Sequence, residues 1–525
     1  TTLINTYKTN GWITAYGGSG TVNVSYNTPN VGKTTVTATS VPLPGKAATP
    51  NPANAATGIS TTNDLSWTAG SGATSHDVYF GTTSPGTLKG NQTATTYDTG
   101  TMTNSKTYYW RIDEKNATGT TTGDVWSFTT AAGSGNYSLI GKVMCGYQGW
   151  FNCPSDGTTR GWIHWGSSTT SFTPSNCTVD MWPDMTEMTT GEKFLASSFY
   201  DGKDRYVFSS HNLTTVRRHF QWMQQNGIDG VYLQRFATEL TPGSAPFNHR
   251  NDVLAYCKDA ANLYGRKYAV MYDLSGLGAG ETSKVIADWK YLVDNLKVTK
   301  NPSYDPAYIF YKGKPVVAVY GVAYSGRAYS HQEVRNLIDF LKNDPTYGGN
   351  TVLIGCYQNW RTVTDTYVQQ TFQLADIILP WLVGSYSNTS GVNNWATTKG
   401  VPDKNWCVTN GKDYLPLIFP GFSWHNMYPS YPLNQIPRVG GQFLWDQVKA
   451  DISTVGASMI YVAMFDEVDE GTAIFKVTND PPKPGGATLF VTYEGKPSDE
   501  YLWLVGQATR GLRGEIPVNQ TRPAR

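Results

Sequence analysis

The sequence predicts a multidomain chain, an all-β sandwich followed by a (β/α)8 TIM barrel. Three observations carry this. Up to about residue 130, short runs of β-branched residues alternate with polar ones at period two, separated by Asn, Pro and Gly turns. From about residue 138, apolar strand-like runs alternate with amphipathic stretches at helical period. Between them lies Ala-Ala-Gly-Ser-Gly at 131–135, a hinge composition.

The chain has 525 residues, enough for three or four domains. Its 41 basic and 40 acidic residues leave a net charge of +1, without the basic stripe that nucleic-acid binding needs. Charged residues make up only 15% and aromatics 13%, with 17 Trp and 33 Tyr, which excludes a disordered chain. No run approaches the 18 apolar residues of a membrane span. The Thr-rich, charge-poor composition suggests an extracytoplasmic protein. Beginning at Thr1 without an apolar leader, the chain reads as a processed form or as part of a longer one. Cys145, Cys153, Cys177, Cys257, Cys356 and Cys407 form no C-x-x-C pair, so no zinc site is expected. They read as buried thiols, although Cys145, Cys153 and Cys177 are near enough in sequence for one pair to join.

In chain order, Thr21–Tyr26 and Thr34–Thr39 read as strands of a β-rich segment, 1–44, too short for a whole sandwich. Pro42, Pro44, Pro50 and Pro52 read as a stiff linker. A second β unit, 45–132, has Leu65, Trp67, Val78, Tyr79, Phe80, Tyr108, Tyr109, Trp110, Ile112, Trp126 and Phe128 as its anchors. Residues 133–137 read as a linker, 138–515 as the barrel and 516–525 as a tail. The barrel is predicted from eight strand candidates, beginning at 139, 228, 268, 316, 351, 376, 415 and 459, with intervening helices such as 214–226.

In such a barrel the active site is built after the C-terminal ends of the strands. The candidates there are Tyr147, Trp150, His164 and Trp165 after the first strand, Arg235 after the second and Asp273 after the third. Tyr320, Trp381, Trp424 and His425 follow later strands. Any one of these is ordinary rim packing as readily as ligand contact. A ring of them fits a carbohydrate cleft. After the last strand stand Asp466, Glu467, Asp469 and Glu470, with Asp466 and Asp469 read as sugar contacts. Crowded carboxylates have raised pKa values, which suits a general acid, and two carboxylates are the usual minimum for glycoside cleavage. A solvated loop is the plain alternative. The spacing of an EF-hand is absent, so neither metal nor cofactor is expected.

Two resemblances sharpen this. The segments D-L-S-W-T, H-D-V-Y-F-G-T, K-T-Y-Y-W-R-I-D and D-V-W-S-F-T-T, within 53–131, resemble a fibronectin type III module of polysaccharide-degrading enzymes. F-D-E-V-D-E-G-T at 465–472 resembles the signature of glycoside hydrolase family 99, the endo-α-mannosidases, and is similar to that of family 71, the α-1,3-glucanases. C-G-Y-Q-G-W-F, W-I-H-W-G, H-F-Q-W-M-Q-Q-N-G-I-D-G-V, F-P-G-F-S-W-H-N and P-S-D-E-Y-L-W-L-V-G-Q-A extend the likeness over about 140–515.

The resemblance implies that Glu470 is the general acid/base. It also implies that Glu467 acts as a base at the sugar 2-hydroxyl in an epoxide-forming route, whereas family 71 inverts around a water. Asp466 stands where family 99 has Asn, and Val468-Asp469 where it has Trp-His, so sugar and stereochemical outcome stay open. The expected function is cleavage, within the chain, of an α-linked polysaccharide or glycan by a monomer. The alternative is a non-catalytic polysaccharide-binding or adhesion protein.

Overall fold

The computed structural model describes residues 21–28, 31–39, 41–59, 63–100, 102–103, 106–130, 138–299, 305–519 and 521–525. The chain divides into two units, 1–135 and 136–525. The linker read at 133–137 lies outside the described residues.

In the first unit, Thr21–Thr28 and Val31–Thr39 pair as an antiparallel hairpin. The remaining strands form two sheets. The larger runs Ala56–Ile59, Trp126–Thr130, Thr107–Asn116, Ser75–Gly81, Thr87–Gln92, with Gly119–Thr121 added on Thr107–Asn116. The smaller holds Ala48–Asn51, Leu65–Thr68 and Thr96–Tyr97. Leu65, Trp67, Val78, Phe80, Tyr108, Trp110, Ile112, Trp126 and Phe128 form its core, as the period-two pattern requires. Tyr79 and Tyr109 do not join them. They lie at the alternate, half-buried positions, where the Arg111 guanidinium stands 4.1 Å over the Tyr79 ring.

The proline stretch expected as a linker is partly strand. Ala48–Asn51 pairs with Leu65–Thr68, and the Gly45 N–H donates to the Ser71 carbonyl at 2.9 Å. Ala48–Asn51 is an edge strand, the position in a sheet where proline is tolerated.

The second unit is a TIM-barrel-like run of parallel strands. Val143–Tyr147 pairs with Gly230–Phe236, and Lys267–Asp273, Lys314–Val322, Thr351–Cys356, Ile377–Pro380 and Asp413–Tyr414 follow in register. On its other edge Val143–Tyr147 pairs with Ile460–Val462, which pairs with Leu417–Ile418. The strand expected over 415–419 is therefore interrupted. Pro416 has no N–H to give a ladder, but its carbonyl accepts from Tyr461 N–H at 3.0 Å, while Leu415 N–H donates to Ile378.

Helices lie between the strands. Leu213–Asn226 is capped by the Asn212 side chain and ends at Gly227, whose φ of 73° suits glycine. His331–Asn343 starts with a Ser330/Glu333 capping box. Glu500–Leu512 closes the chain. Among the described residues no helix is long and apolar enough to cross a membrane. All six cysteines are buried free thiols, so none of the three early ones is joined to another.

Candidate active site

The acidic segment follows Ile460–Val462, and the chain fixes each of its side chains differently. Asp466 is fully buried and accepts the backbone N–H groups of Gln148 at 2.7 Å and Gly149 at 2.9 Å. This latches the last strand to the loop after the first. Glu467 is 5% exposed and accepts from Gln148 Nε2 at 2.6 Å and from Thr472 Oγ at 2.5 Å. Asp469 meets His164 Nδ1 at 3.2 Å. Glu470 has its carbonyl held by Ser423 N–H, while its carboxyl has no hydrogen-bond partner among the described residues. Gly146 lets the floor beneath pack closely. A Cβ there would come 2.2 Å from the Tyr461 hydroxyl, which also accepts from Gln234 Nε2 at 3.2 Å.

Burial pushes Asp466, Glu467 and Glu470 toward protonation. Asp466 is pushed up to about 7 by burial, against the pull of the two amides. Glu470 is pushed up to about 7 by burial, then by the charges of Asp469 and Asp273. Glu467 is raised well above the carboxylate range by burial and by Glu470 and Asp469, opposed by Thr472 and Gln148. At neutral pH the Glu467/Glu470 pair therefore keeps a proton, the condition for acid catalysis by a carboxyl.

Several expected residues gather here. Asp273 ends its strand within reach of the Glu470 charge, and burial raises its own pKa. The Tyr320 ring lies 4.9 Å from Trp381, and Trp381 lies 6.1 Å from Tyr461. His164 adopts a φ of 63° and stacks on Trp150 at 3.8 Å and 8°.

Others do not. Tyr147 is fully buried and bonds His219 Nδ1 at 2.9 Å, on the helix side of its strand. Trp165 is fully buried against Phe151 and Phe208. Arg235 is fully buried and paired with Asp288. None of these three can meet a sugar. Trp150 is 8% exposed, with His164 and Phe236 stacked on it, so it orients His164 rather than offering an open ring. Trp424 packs among Phe422, Tyr428 and Tyr431, and His425 is held by the Tyr431 carbonyl. They flank Ser423, whose N–H donates to the Glu470 carbonyl.

Sequence reasoning missed Gln148 and Thr472, which hold Glu467. Both stand inside the motifs C-G-Y-Q-G and D-E-G-T, polar neighbours of the residues singled out. Among the described residues no three His, Cys, Asp or Glu side chains are arranged to hold a metal ion.

A mouse protein described as glycoprotein endo-alpha-1,2-mannosidase-like is 24% identical over 328 residues, which cover 59% of this chain and 64% of that one. The solved structure of the GH99 endo-alpha-mannosidase from Bacteroides thetaiotaomicron, as a complex with BIS-TRIS-propane, shares the fold. Its TM-score is 0.53 at 17% identity, covering 72% of this chain and 99% of the other. A second structure of that enzyme gives the same TM-score at 16% identity. Residues 139–513 match glycosyl hydrolase family 99, and the chain belongs to that family of glycoside hydrolases.

Proposed function

We propose that the chain cleaves an α-linked, mannose-containing glycan at internal bonds, with Glu470 as general acid/base and Glu467 as its partner at the 2-hydroxyl. One observation carries the reading. Two carboxyls three residues apart are both pushed toward protonation, and they differ in their partners. Glu467 receives two hydrogen bonds, which favour its ionised form, whereas Glu470 receives none. The reading places the shared proton on Glu470 because of the two hydrogen bonds to Glu467, against burial and neighbouring charge, which push Glu467 the further up of the two.

Glu470 then protonates the departing glycosidic oxygen as the bond from C1 breaks. Glu467 takes the 2-hydroxyl proton while that oxygen closes on C1. In the second half Glu470 draws a proton from water, the water oxygen opens the ring at C1, and Glu467 returns its proton to O2. Asp466 and Asp469 position this pair. His164, Asp273, Tyr320 and Trp381 are the proposed sugar contacts. The sheet is read as an eight-stranded closed barrel whose seventh strand is broken at Pro416, supported by the unbroken series of parallel pairings. The 45–132 unit is read as fibronectin type III-like, and the protein as an extracytoplasmic monomer.

The test is to incubate the chain with α-mannan and α-1,3-glucan oligosaccharides and read the products by mass spectrometry. Internal cleavage of the mannosides, abolished in Glu470→Gln, supports the reading. Binding without cleavage would establish the alternative, a polysaccharide-binding protein.

A further inference from the structure

The loops after Thr351–Cys356 and Ile377–Pro380, with the helix Thr389–Trp395 and the helical turn Ala396–Gly400, border a hollow of about 300 Å3, near the lower end of ligand-pocket sizes. Gln358, Asn359, Ser385, Asn394, Trp395 and Lys399 line it. Its walls are fixed. Ser385 Oγ donates to Gln358 Oε1 at 3.0 Å, bridging the two loops. Behind it Tyr386 is buried against Trp395 and Phe419, and Trp360 against Phe372 and Trp406. The lining is mostly amide and hydroxyl groups with one cation and no carboxylate. That chemistry matches an uncharged polyol, with donors and acceptors in turn and an indole beside them.

A strip of partly exposed rings joins the hollow to the acids. Trp381 stands 4.9 Å from Tyr320, Tyr320 lies 5.6 Å from Tyr324, and Tyr324 lies 5.7 Å from Tyr357. Asn359 Nδ2 then donates to the Tyr357 hydroxyl at 3.2 Å. At the other end Trp381 abuts Tyr461, whose hydroxyl feels the Glu467 charge. Each ring is tilted 59° from the next, so the strip offers ring edges and partly exposed faces in turn, apolar surface against which the C–H faces of sugar rings can pack.

We infer that this hollow is a distal subsite that takes an uncharged hexose unit of the same glycan, several units from the bond cut, with Trp381, Tyr320, Tyr324 and Tyr357 as the track between. It rests on the proposed function, because the track has meaning only if the acids act on a glycan.

The experiment uses the full chain carrying Glu470→Gln, so that ligand is bound and not cut. Affinity for α-linked mannooligosaccharides of two to eight units is measured by titration calorimetry, with and without Asn394→Trp or Ser387→Trp, which fill the hollow. Both positions are exposed, so the core is not loaded. Affinity is expected to step up by about fivefold or more once the oligosaccharide is long enough to reach the hollow, the scale of two or three net hydrogen bonds. Both filling variants are expected to remove that step. A step that survives both variants, or no step in the unfilled chain, overturns the subsite alone. No binding at any length overturns the functional reading and the subsite with it.

Discussion

Replacing Thr472 with Val tests whether Glu467 works as an ionised base. The hydroxyl donates to Glu467 Oε2 at 2.5 Å inside a fully buried site, and valine keeps its shape. A hydrogen bond to a charged group contributes about 1.5–3 kcal/mol. At about 1.36 kcal/mol per pKa unit, its loss raises the Glu467 pKa by about one to two units. The sign follows from the carboxylate being the form that accepts the bond. Without the donor it is less stable, so it takes up its proton at higher pH.

If Glu467 must be ionised for turnover, the acid limb of kcat/KM against pH moves up by about one to two units. The alkaline limb, set by loss of the Glu470 proton, moves little. The bell narrows from its acid side and the maximum falls. Thr472→Ser, which restores the donor, returns the limb. The assay is a pH–rate profile on an α-mannooligosaccharide, with thermal unfolding followed in parallel. An unmoved acid limb in a folded Thr472→Val chain would refute the assignment of Glu467 as base.

Three further predictions follow from the same structure. Glu470→Gln lowers the rate on a natural glycan by about 10²–10⁴-fold, the worth of a general acid, and much less on a glycosyl fluoride, whose leaving group needs no proton; steady-state kinetics on the two substrates checks this. Asp451 is fully buried with no hydrogen-bond partner on either carboxylate oxygen among the described residues, and burial raises its pKa well above normal, so above about pH 4 the unfolded chain ionises while the folded one resists, and stability falls as pH rises. Asp451→Leu should therefore raise the unfolding free energy at pH 7–8 by about 1–4 kcal/mol, and little at pH 4, as urea titration at the two pH values would show. Arg235→Met strands the buried Asp288 and costs about 3–5 kcal/mol in urea titration, Arg235→Met with Asp288→Leu recovers most of it, and kcat/KM per folded molecule stays within about twofold in both.

The parallel strands were legible because each is a continuous apolar run between turn residues. Which way a side chain points from such a strand was not, because both faces are buried and no polar alternation marks them. Two of the misplaced residues share this cause. Tyr147 and Arg235 point to the helix layer, at His219 and Asp288, while their neighbours Gly146 and Gln234 face Tyr461. Gln148, one residue beyond Tyr147, reaches Glu467. A period of two thus moved the site one residue from where the aromatic signal drew attention. In the sandwich the alternation was visible, and Trp110 and Trp126 stand in the core as read. The acid cluster was legible for another reason, as four acids within five positions of a chain that is only 15% charged.

That scarcity of charge bears on the site itself. A buried carboxylate beside an arginine would be held ionised and would make a poor acid at neutral pH. Three nearby arginines are engaged elsewhere. Arg250 and Arg160 pair with Glu239, and Arg235 with Asp288. Glu239 collects this charge and is pulled down to about 2. Among the described residues no Lys or Arg forms an ion pair with Asp466, Glu467 or Glu470, and neutral donors do the holding. Neutral donors fix the geometry of Glu467 without a full opposing charge, which leaves the proton of the pair available near neutral pH. Introducing a cation beside Glu470 would therefore harm catalysis more than deleting any one of these hydrogen bonds, because it would remove the proton that the leaving oxygen needs.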